Sequence, residues 1–293
     1  LHAMSRRQRQ MCIRDSDIIH THSPRSDLLA YSSNLFLKNK GKRIVTIHGK
    51  YGTYLQGNFL IDFLRKIFIK QQSKIWEKAN KVIVISESIR DWLEKLNSSI
   101  KPTVIPYGVE IQEVSQKNKF ANPTLGYLGK LNKNKGIEDL IDVYTKFQEK
   151  ENSSNFELTL LIGGTGSENY VKSLKNKNKD NNVKFLGYVE DRYSFFESIE
   201  IFVFPSYSEG LGLVLLEAMA HGVICITRDV TPMNSIVDDE ENGFLFKDNK
   251  ELLEKIEMVL NLNSTEKNKL VESAIKKIEK SYSIMQMYLS TEK

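Results

Sequence analysis

Cysteine is nearly absent: Cys12 and Cys225 are the only two in 293 residues. Two cysteines cannot staple a secreted fold, and they lack the paired spacing of a zinc site, so a reducing cytoplasm is the default compartment. Long apolar runs are missing as well. No stretch approaches the roughly eighteen consecutive apolar residues of a membrane-spanning helix, and the N-terminus lacks the basic-then-apolar pattern of an export signal. Any membrane contact is then peripheral, at the inner face of the cell membrane. Charge of one sign is also scarce, since 42 Lys and Arg against 37 Asp and Glu leave a net +5. Such a bias suits an anionic small molecule or an anionic membrane face, and falls well short of the clustered basicity of a nucleic-acid binder. What is present, 40% hydrophobic and 27% charged residues, is the composition of soluble globular proteins and excludes global disorder. At roughly 150 residues per domain, the length predicts two domains.

The first sixteen residues, LHAMSRRQRQMCIRDS, hold four arginines and no lysine in an otherwise lysine-rich chain. That shift reads as a foreign or disordered leader, with a basic arm for nucleic acid or lipid as the alternative. From Asp17 onward short β-branched runs alternate with helical patterns, the mark of βαβ units and parallel sheets. The first half predicts strands at Ile18–His20, Ile44–His48, Lys81–Ser86 and Thr103–Pro106. Its helices are expected at Asp27–Lys40, Phe59–Asn80 and Glu87–Leu96. The second half predicts strands at Thr124–Leu128, Glu157–Ile162, Val183–Leu186, Ile201–Pro205, Val223–Thr227 and Gly243–Phe246. Between these fall helices at Gly136–Lys150, Glu168–Asn176, Ser194–Ser198 and Leu213–His221, followed by Asn249–Leu260 and Ser264–Ser281. Ten strands in one sheet is large, and two sheets facing a cleft fit better. The expected organisation is a leader over 1–16, a partial first Rossmann-like domain over 17–109, a hinge over 110–122, a second domain over 123–263 and terminal helices over 264–293.

The strongest motif is Pro205-Ser-Tyr-Ser-Glu209-Gly210-Leu211-Gly212-Leu-Val-Leu-Leu-Glu217-Ala-Met-Ala-His-Gly222. An apolar strand ends at Pro205, a loop with two glycines follows, and a helix begins near Leu213. Glycines let backbone approach a ligand closely, and the unbonded amides of a helix start favour an anion such as a diphosphate. Glu209 in the loop and Glu217 about one turn into the helix can both accept paired hydroxyl protons, which suits a sugar or ribose.

The spacing Glu209-x7-Glu217 within this motif resembles the retaining family 4 glycosyltransferases, also called group 1. These are enzymes of GT-B fold built from two Rossmann-like domains. The stretch Leu125-Gly-Tyr-Leu-Gly-Lys130-Leu-Asn-Lys-Asn-Lys135-Gly-Ile137 resembles the family's strand ending in Gly-Arg-Leu with a Lys-Gly pair opening the next helix. The resemblance implies that Lys135 and Lys130 clamp the donor diphosphate, with Lys130 standing where the family has arginine. Lysine supplies charge there without the planar fork. The amides of Gly210, Leu211 and Gly212 would join that clamp, Glu209 would bind the donor sugar, and Glu217 the ribose. The segment Phe185-Leu-Gly-Tyr-Val189 resembles the family's border of the nucleobase. Leu160-Leu-Ile-Gly-Gly-Thr-Gly166 superficially resembles a dinucleotide fingerprint, but Asn169 occupies the third glycine position and no acid-ended strand follows.

In the first half, Arg43-Ile-Val-Thr-Ile-His48-Gly49 puts a histidine at the carboxyl end of a parallel strand, where ligands collect. It resembles the family's catalytic-side histidine, and Asp17-Ile-Ile-His20-Thr-His22 resembles a strand whose final histidine, His22, lines the acceptor side. His20, His22 and His48 match no zinc spacing, and the resemblance implies no metal and no cofactor beyond a nucleoside diphosphate sugar as co-substrate. Its implied partners are that donor and a glycan or lipid-linked acceptor, with no nucleic acid. The activity implied is glycosyl transfer with retention in bacterial surface glycan or glycolipid synthesis. The first half holds few residues for a full Rossmann-like domain and lacks the family's opening Gly-rich loop. A truncated nucleotide-sugar-binding fragment without turnover, or a GT-B epimerase or phosphorylase, are the alternatives. The helix over Phe59–Asn80, with Phe59, Leu60, Phe63, Leu64, Ile67 and Phe68 against Arg65, Lys66, Lys70, Lys74 and Lys78, fits either core packing or an anionic membrane surface.

Overall fold

The computed structural model describes residues 16–36, 41–51, 59–111, 122–151, 157–177 and 180–292. Apart from Ser16, the expected leader lies outside these residues. Contacts divide the chain into two compact units, Leu1–Pro106 and Tyr107–Lys293.

The first unit runs β1 (Ile18–Thr21), α1 (Pro24–Phe36), β2 (Lys42–Ile47), α2 (Phe59–Glu77), β3 (Lys81–Val84), α3 (Glu87–Leu96) and β4 (Thr103–Val104). Its strands are all parallel and lie side by side in chain order. Right-handed crossovers in that order carry the connecting helices to one face of the sheet. The pleat agrees: Ile19, Val45, Val82 and Val84 are buried, whereas Ile18 and His20, one residue out of phase, are exposed. Between α1 and α2 the buried Trp76 indole donates to the buried Asp27 carboxylate at 2.8 Å. Arg43, also buried, lies 5.1 Å over the Tyr31 ring and donates to the Ile75 carbonyl.

Helix α2 turns the other way from a core-packed amphipathic helix. Ile69, Gln72, Ser73 and Trp76 form its buried side, while Leu60, Phe63, Leu64, Ile67 and Phe68 are exposed. The inward face tolerates Ser73 because its hydroxyl donates to the Lys70 carbonyl at 2.8 Å, which spares it an unmet polar group. The side chain of Phe59 lies outside the described residues.

The second unit is larger. It begins with β5 (Thr124–Leu128), a 3₁₀ turn at Lys133–Lys135, α4 (Ile137–Glu151), β6 (Thr159–Gly163), α5 (Glu168–Lys177), β7 (Val183–Gly187) and α6 (Arg192–Glu197). It continues with β8 (Ile201–Phe204), α7 (Leu213–Ala220), β9 (Ile224–Arg228), α8 (Met233–Ile236), β10 (Phe244–Phe246), α9 (Asn249–Asn261), α10 (Ser264–Ser281) and α11 (Ile284–Thr291). The six strands are parallel in the order β7-β6-β5-β8-β9-β10. This is the doubly wound Rossmann order, with helices on both faces. Strands β5, β8 and β9 are buried along their whole length, as central parallel strands must be. Several helix starts of this unit are closed by side chains, that of α7 at Gly212 not among them. The Asp248 carboxylate accepts from the Lys250 and Glu251 amides, and Asn263 and Glu266 cap each other's backbone reciprocally.

Every expected strand and helix is present; Glu87–Leu96, Thr124–Leu128 and Ser264–Ser281 keep the expected bounds and the others have shifted ends. Two helices escaped the sequence reading, α8 and α11. The first is a single turn, and the second buries no residue, so neither carries a core-facing period. The expected hinge at 110–122 lies mostly outside the described residues. Just before it, the Val109 amide donates to the Tyr282 carbonyl at 2.8 Å, tying that stretch to the terminal helices.

The glycine run after β6 is explained by packing. A Cβ on Gly164 would overlap the Gly129 carbonyl oxygen, and Gly164 sits at φ +134°. Gly164→Ala is expected to destabilise the second unit by about 3 kcal/mol or more, from steric overlap and backbone strain together. Hydrogen exchange in the β5 and β6 amides measures it, and wild-type protection in the variant would refute the reading.

Candidate functional site

In a doubly wound sheet, ligands bind outside the carboxyl ends of the strands where strand order reverses. Here that point lies between β5 and β8. The chain leaving β5 passes Gly129 and Lys130, forms the Lys133–Lys135 turn, and enters α4 through Gly136 in a left-handed conformation, φ 66°. The chain leaving β8 is Pro205–Gly212, which enters α7 through Gly212 at φ 86°. The two loops are bonded to each other. The Tyr207 amide donates to the Asn134 carbonyl at 2.9 Å, and a side chain at Gly136 would collide with the Pro205 carbonyl. Gly136 therefore has both a conformational and a steric reason to be glycine.

This meeting brings Lys135 and Glu209 together, with Nζ donating to Oε1 at 2.5 Å. Both are mostly buried. Lys130 is exposed and makes no ion pair among the described residues, and its backbone carbonyl accepts from the Tyr127 hydroxyl at 3.2 Å. Burial of Tyr127, with Glu209 nearby, pushes its hydroxyl well above the usual tyrosine range, so it remains a donor. Beyond Gly210, Leu211 and Gly212, α7 starts with amides that have no intrahelical acceptor, aimed out of the helix end.

Glu217 lies within α7 and is paired separately. Arg192 Nη1, in the first turn of α6, donates to both its oxygens at 2.7 and 2.9 Å. A cavity of about 320 Å³ opens beside this pair, lined also by Val109, Tyr193, Phe196 and His221. That volume is at the small end for ligand pockets. Val189 adjoins the end of β6, where a Cβ on Gly163 would come within 2.8 Å of its Cγ2. Gly166 is accounted for by packing, since a Cβ there would overlap the Leu131 carbonyl. Of the residues the sequence reading singled out, the structure brings Lys135 and Glu209 together beside the glycine loop and pairs Glu217 separately with Arg192, a partner that reading did not name.

That reading missed the residues that hold the loop. Arg228, at the end of β9 and almost fully buried, donates to the Pro205 carbonyl at 3.1 Å, to the Lys247 carbonyl at 3.1 Å and to Asp139 at 2.6 Å. It also lies 4.0 Å over the Tyr207 ring, whose hydroxyl donates to the same Asp139 oxygen at 2.6 Å. The one available signal was a charged residue closing the apolar run Ile224–Thr227.

In the first unit, considered by itself, the three histidines cluster at the carboxyl ends of β1 and β2. His22 Nδ1 and His48 Nε2 are 3.0 Å apart with the rings stacked, and His20 Nε2 is 2.8 Å from the Thr46 hydroxyl. Burial lowers the pKa of His48, and the neighbouring His22 and His20 lower it further; burial followed by His22 does the same for His20. Among the described residues no three His, Cys, Asp or Glu side chains converge to hold a metal ion.

A doubly wound sheet with a lysine–glutamate pair and a glycine-led helix start at its switch point is the arrangement at which nucleotide-binding-type α/β domains collect ligands. Residues 110–277 match the family model described as glycosyl transferases group 1, and residues 2–113 match that of glycosyltransferase family 4. The chain belongs to the glycosyl transferases group 1 family. It is 29% identical over 266 residues to the capsular polysaccharide biosynthesis glycosyltransferase CapM of Staphylococcus aureus, covering 83% of this chain and 67% of that protein. It is 26% identical over 257 residues to the O-antigen biosynthesis glycosyltransferase WclY of Escherichia coli, covering 82% of this chain and 69% of that protein. Among solved structures, Anabaena HepE in complex with UDP-glucose superposes with a TM-score of 0.81 at 17% identity, over 98% of this chain and 80% of that one. The fold is GT-B, with two Rossmann-like domains.

The lowered histidine pKa values have a measurable effect. The unfolded chain takes up protons on His20 and His48 below about pH 6.5, where the folded first unit resists them, so stability is full above that pH and declines as pH falls. Both tryptophans, Trp76 and Trp92, lie in the first unit. Their fluorescence is expected to report a lower melting temperature at pH 5.5 than at pH 7.5, with the gap narrowed by His48→Gln. An unchanged gap would refute the assignment.

Proposed function

We propose that this protein transfers a glycosyl unit from a nucleoside diphosphate sugar to an acceptor hydroxyl with retention of anomeric configuration. The product would be a bacterial surface glycan or glycolipid precursor. The observation that carries the reading is the pairing of Lys135 with Glu209 at the β5–β8 switch point, beside the start of α7. The family membership and the capsule and O-antigen roles named for the similar proteins support it.

On this reading the diphosphate lies at the start of α7, held by the amides of Gly210, Leu211 and Gly212 and by the ammonium groups of Lys135 and Lys130. As the bond from the anomeric carbon to the phosphate oxygen breaks, negative charge grows on the phosphate. Fixed dipoles and cations that need no reorganisation then stabilise it, the role a metal ion plays elsewhere. Glu209 accepts from sugar hydroxyls and shares Lys135 with the phosphate, which couples sugar orientation to charge neutralisation. The acceptor oxygen bonds to the anomeric carbon on the face the phosphate leaves, and its proton passes to the departing phosphate oxygen. No side chain becomes covalently attached.

Glu217 accepts from the ribose hydroxyls, with the cavity beside it and Val189 bordering the base. Arg192 yields those carboxylate oxygens on binding; its guanidinium is half exposed, and such pairs are weak enough to exchange. His48 and His22 serve the donor-sugar and acceptor sides, as their strand-end placement supports, and the lowered pKa of His48 supports a neutral, hydrogen-bonding role for that residue. A lipid-linked acceptor places the enzyme at the inner face of the cell membrane as a peripheral protein.

Three measurements test the reading. A screen of nucleoside diphosphate sugars for acceptor-dependent release of the nucleoside diphosphate should find at least one donor, and release with none would refute it. For that donor, Glu217→Ala should weaken binding by about 2 kcal/mol, or roughly thirtyfold, in calorimetry. Lys135→Ala should instead lower kcat by about a hundredfold, since its charge acts on the departing phosphate. Unchanged affinity in the first variant or unchanged kcat in the second would remove that residue from its role.

A further inference from the structure

We propose that α2 is a docking surface that seats the protein on an anionic lipid bilayer. The inference extends the acceptor side of the proposed function but stands on α2 alone. Residues three and four apart on a helix share a face, so Leu60, Leu64, Ile67 and Phe68 with Phe63 form one stripe. The stripe lies opposite Ile69, Gln72, Ser73 and Trp76, the residues that hold α2 to its own unit. Phe68 is 54% exposed, Leu64 55% and Ile67 43%, whereas Trp76 is fully buried. On the adjoining helix α1, Leu28 and Leu29 are exposed as well. A soluble monomer seldom spends so many large apolar side chains on water while packing serine and glutamine inward, and such patches mark interaction sites.

Charge selects the occupant. Lys66, Lys70 and Lys74 follow one another at four-residue spacing, forming a ridge beside the apolar stripe. None makes an ion pair among the described residues; Arg65, by contrast, lies 3.8 Å from Asp62. A stripe of leucine, isoleucine and phenylalanine flanked by lysines matches the interface of a bilayer with anionic headgroups, where the apolar side chains enter the acyl boundary and the ammonium groups stay at headgroup level. A second copy of the chain fits less well, because self-pairing of this face brings like-charged lysine ridges together. Among the described residues no helix is long and apolar enough to cross a membrane, so the contact lies in the plane of the interface.

The test is sedimentation of the full chain with vesicles of phosphatidylcholine alone or with about one third phosphatidylglycerol, at low and high salt. Binding is expected to the anionic vesicles and to weaken with salt. Leu64→Asp with Phe68→Asp should abolish it, and Lys66→Glu, Lys70→Glu and Lys74→Glu together should weaken it about tenfold or more. Tryptophan-monitored melting confirms that the variants fold. Three outcomes would overturn the proposal: no sedimentation with either vesicle, equal sedimentation of wild type and the aspartate variant, or a dimer that the aspartate variant dissolves without any vesicle binding. Calorimetry with the donor found in the screen separates the two readings, since retained donor binding in a vesicle-deficient variant assigns the loss to α2, and lost donor binding with intact vesicle binding counts against the donor site alone.

Discussion

The contact between the loops that leave β5 and β8 is the constraint on which the second unit turns. Backbone passes backbone there with no room for a side chain at Gly136, and the Asn134 carbonyl accepts from Tyr207. Without that approach Lys135 would be a surface lysine and Glu209 a loop carboxylate. With it, a cation and an anion from positions 74 residues apart share a hydrogen bond at the place where a doubly wound sheet collects ligands. The chemistry proposed for the site follows from that geometry. A charge that must appear and vanish within one turnover is best met by groups already held in place, and the hold comes from backbone packing rather than from the charges themselves.

Around this contact the groups divide by what they cost. Arg228 is buried, yet its guanidinium meets two carbonyls, a carboxylate and an aromatic face, so little of its hydrogen-bonding capacity goes unmet. The half-exposed Arg192 on Glu217 is held only by an ion pair open to solvent. The first arrangement is built to stay and the second to exchange. On the proposed function, that contrast separates the scaffold of the site from the pair that yields to ligand. The histidines at the strand ends of the first unit fall between: they pack against one another, and burial discourages His20 and His48 from taking up protons.

Much of this was legible in the residues before any coordinates. The strand–loop–helix reading of Pro205–Gly222 and the strand–turn–helix reading of Leu125–Ile137 depend on local signals, apolar runs closed by glycines, and those signals survive folding. Arg228 and Asp139 were not legible. Their meaning lies in a contact across 89 positions and leaves no local pattern. The orientation of α2 was open for a different reason. Its period shows two faces, but the choice between them was made by Trp76 and its bond to Asp27, and an apolar face is taken for a core face unless something else claims the interior. Helix α11 went unseen because it buries nothing, and periodicity reads only what a core selects.

Arg228 also changes what counts as a transferable part. The loop between β8 and α7 is one continuous insert, a natural cassette for grafting between related enzymes if it binds the donor as proposed. Its shape, however, is held from the end of β9 and from the start of α4. The smallest piece that carries the loop's geometry is four separated segments: Pro205–Gly212, the turn at 134–136, the residue at 139 and the residue at 228. Recombination that respects only chain continuity would move the motif and leave its mould behind.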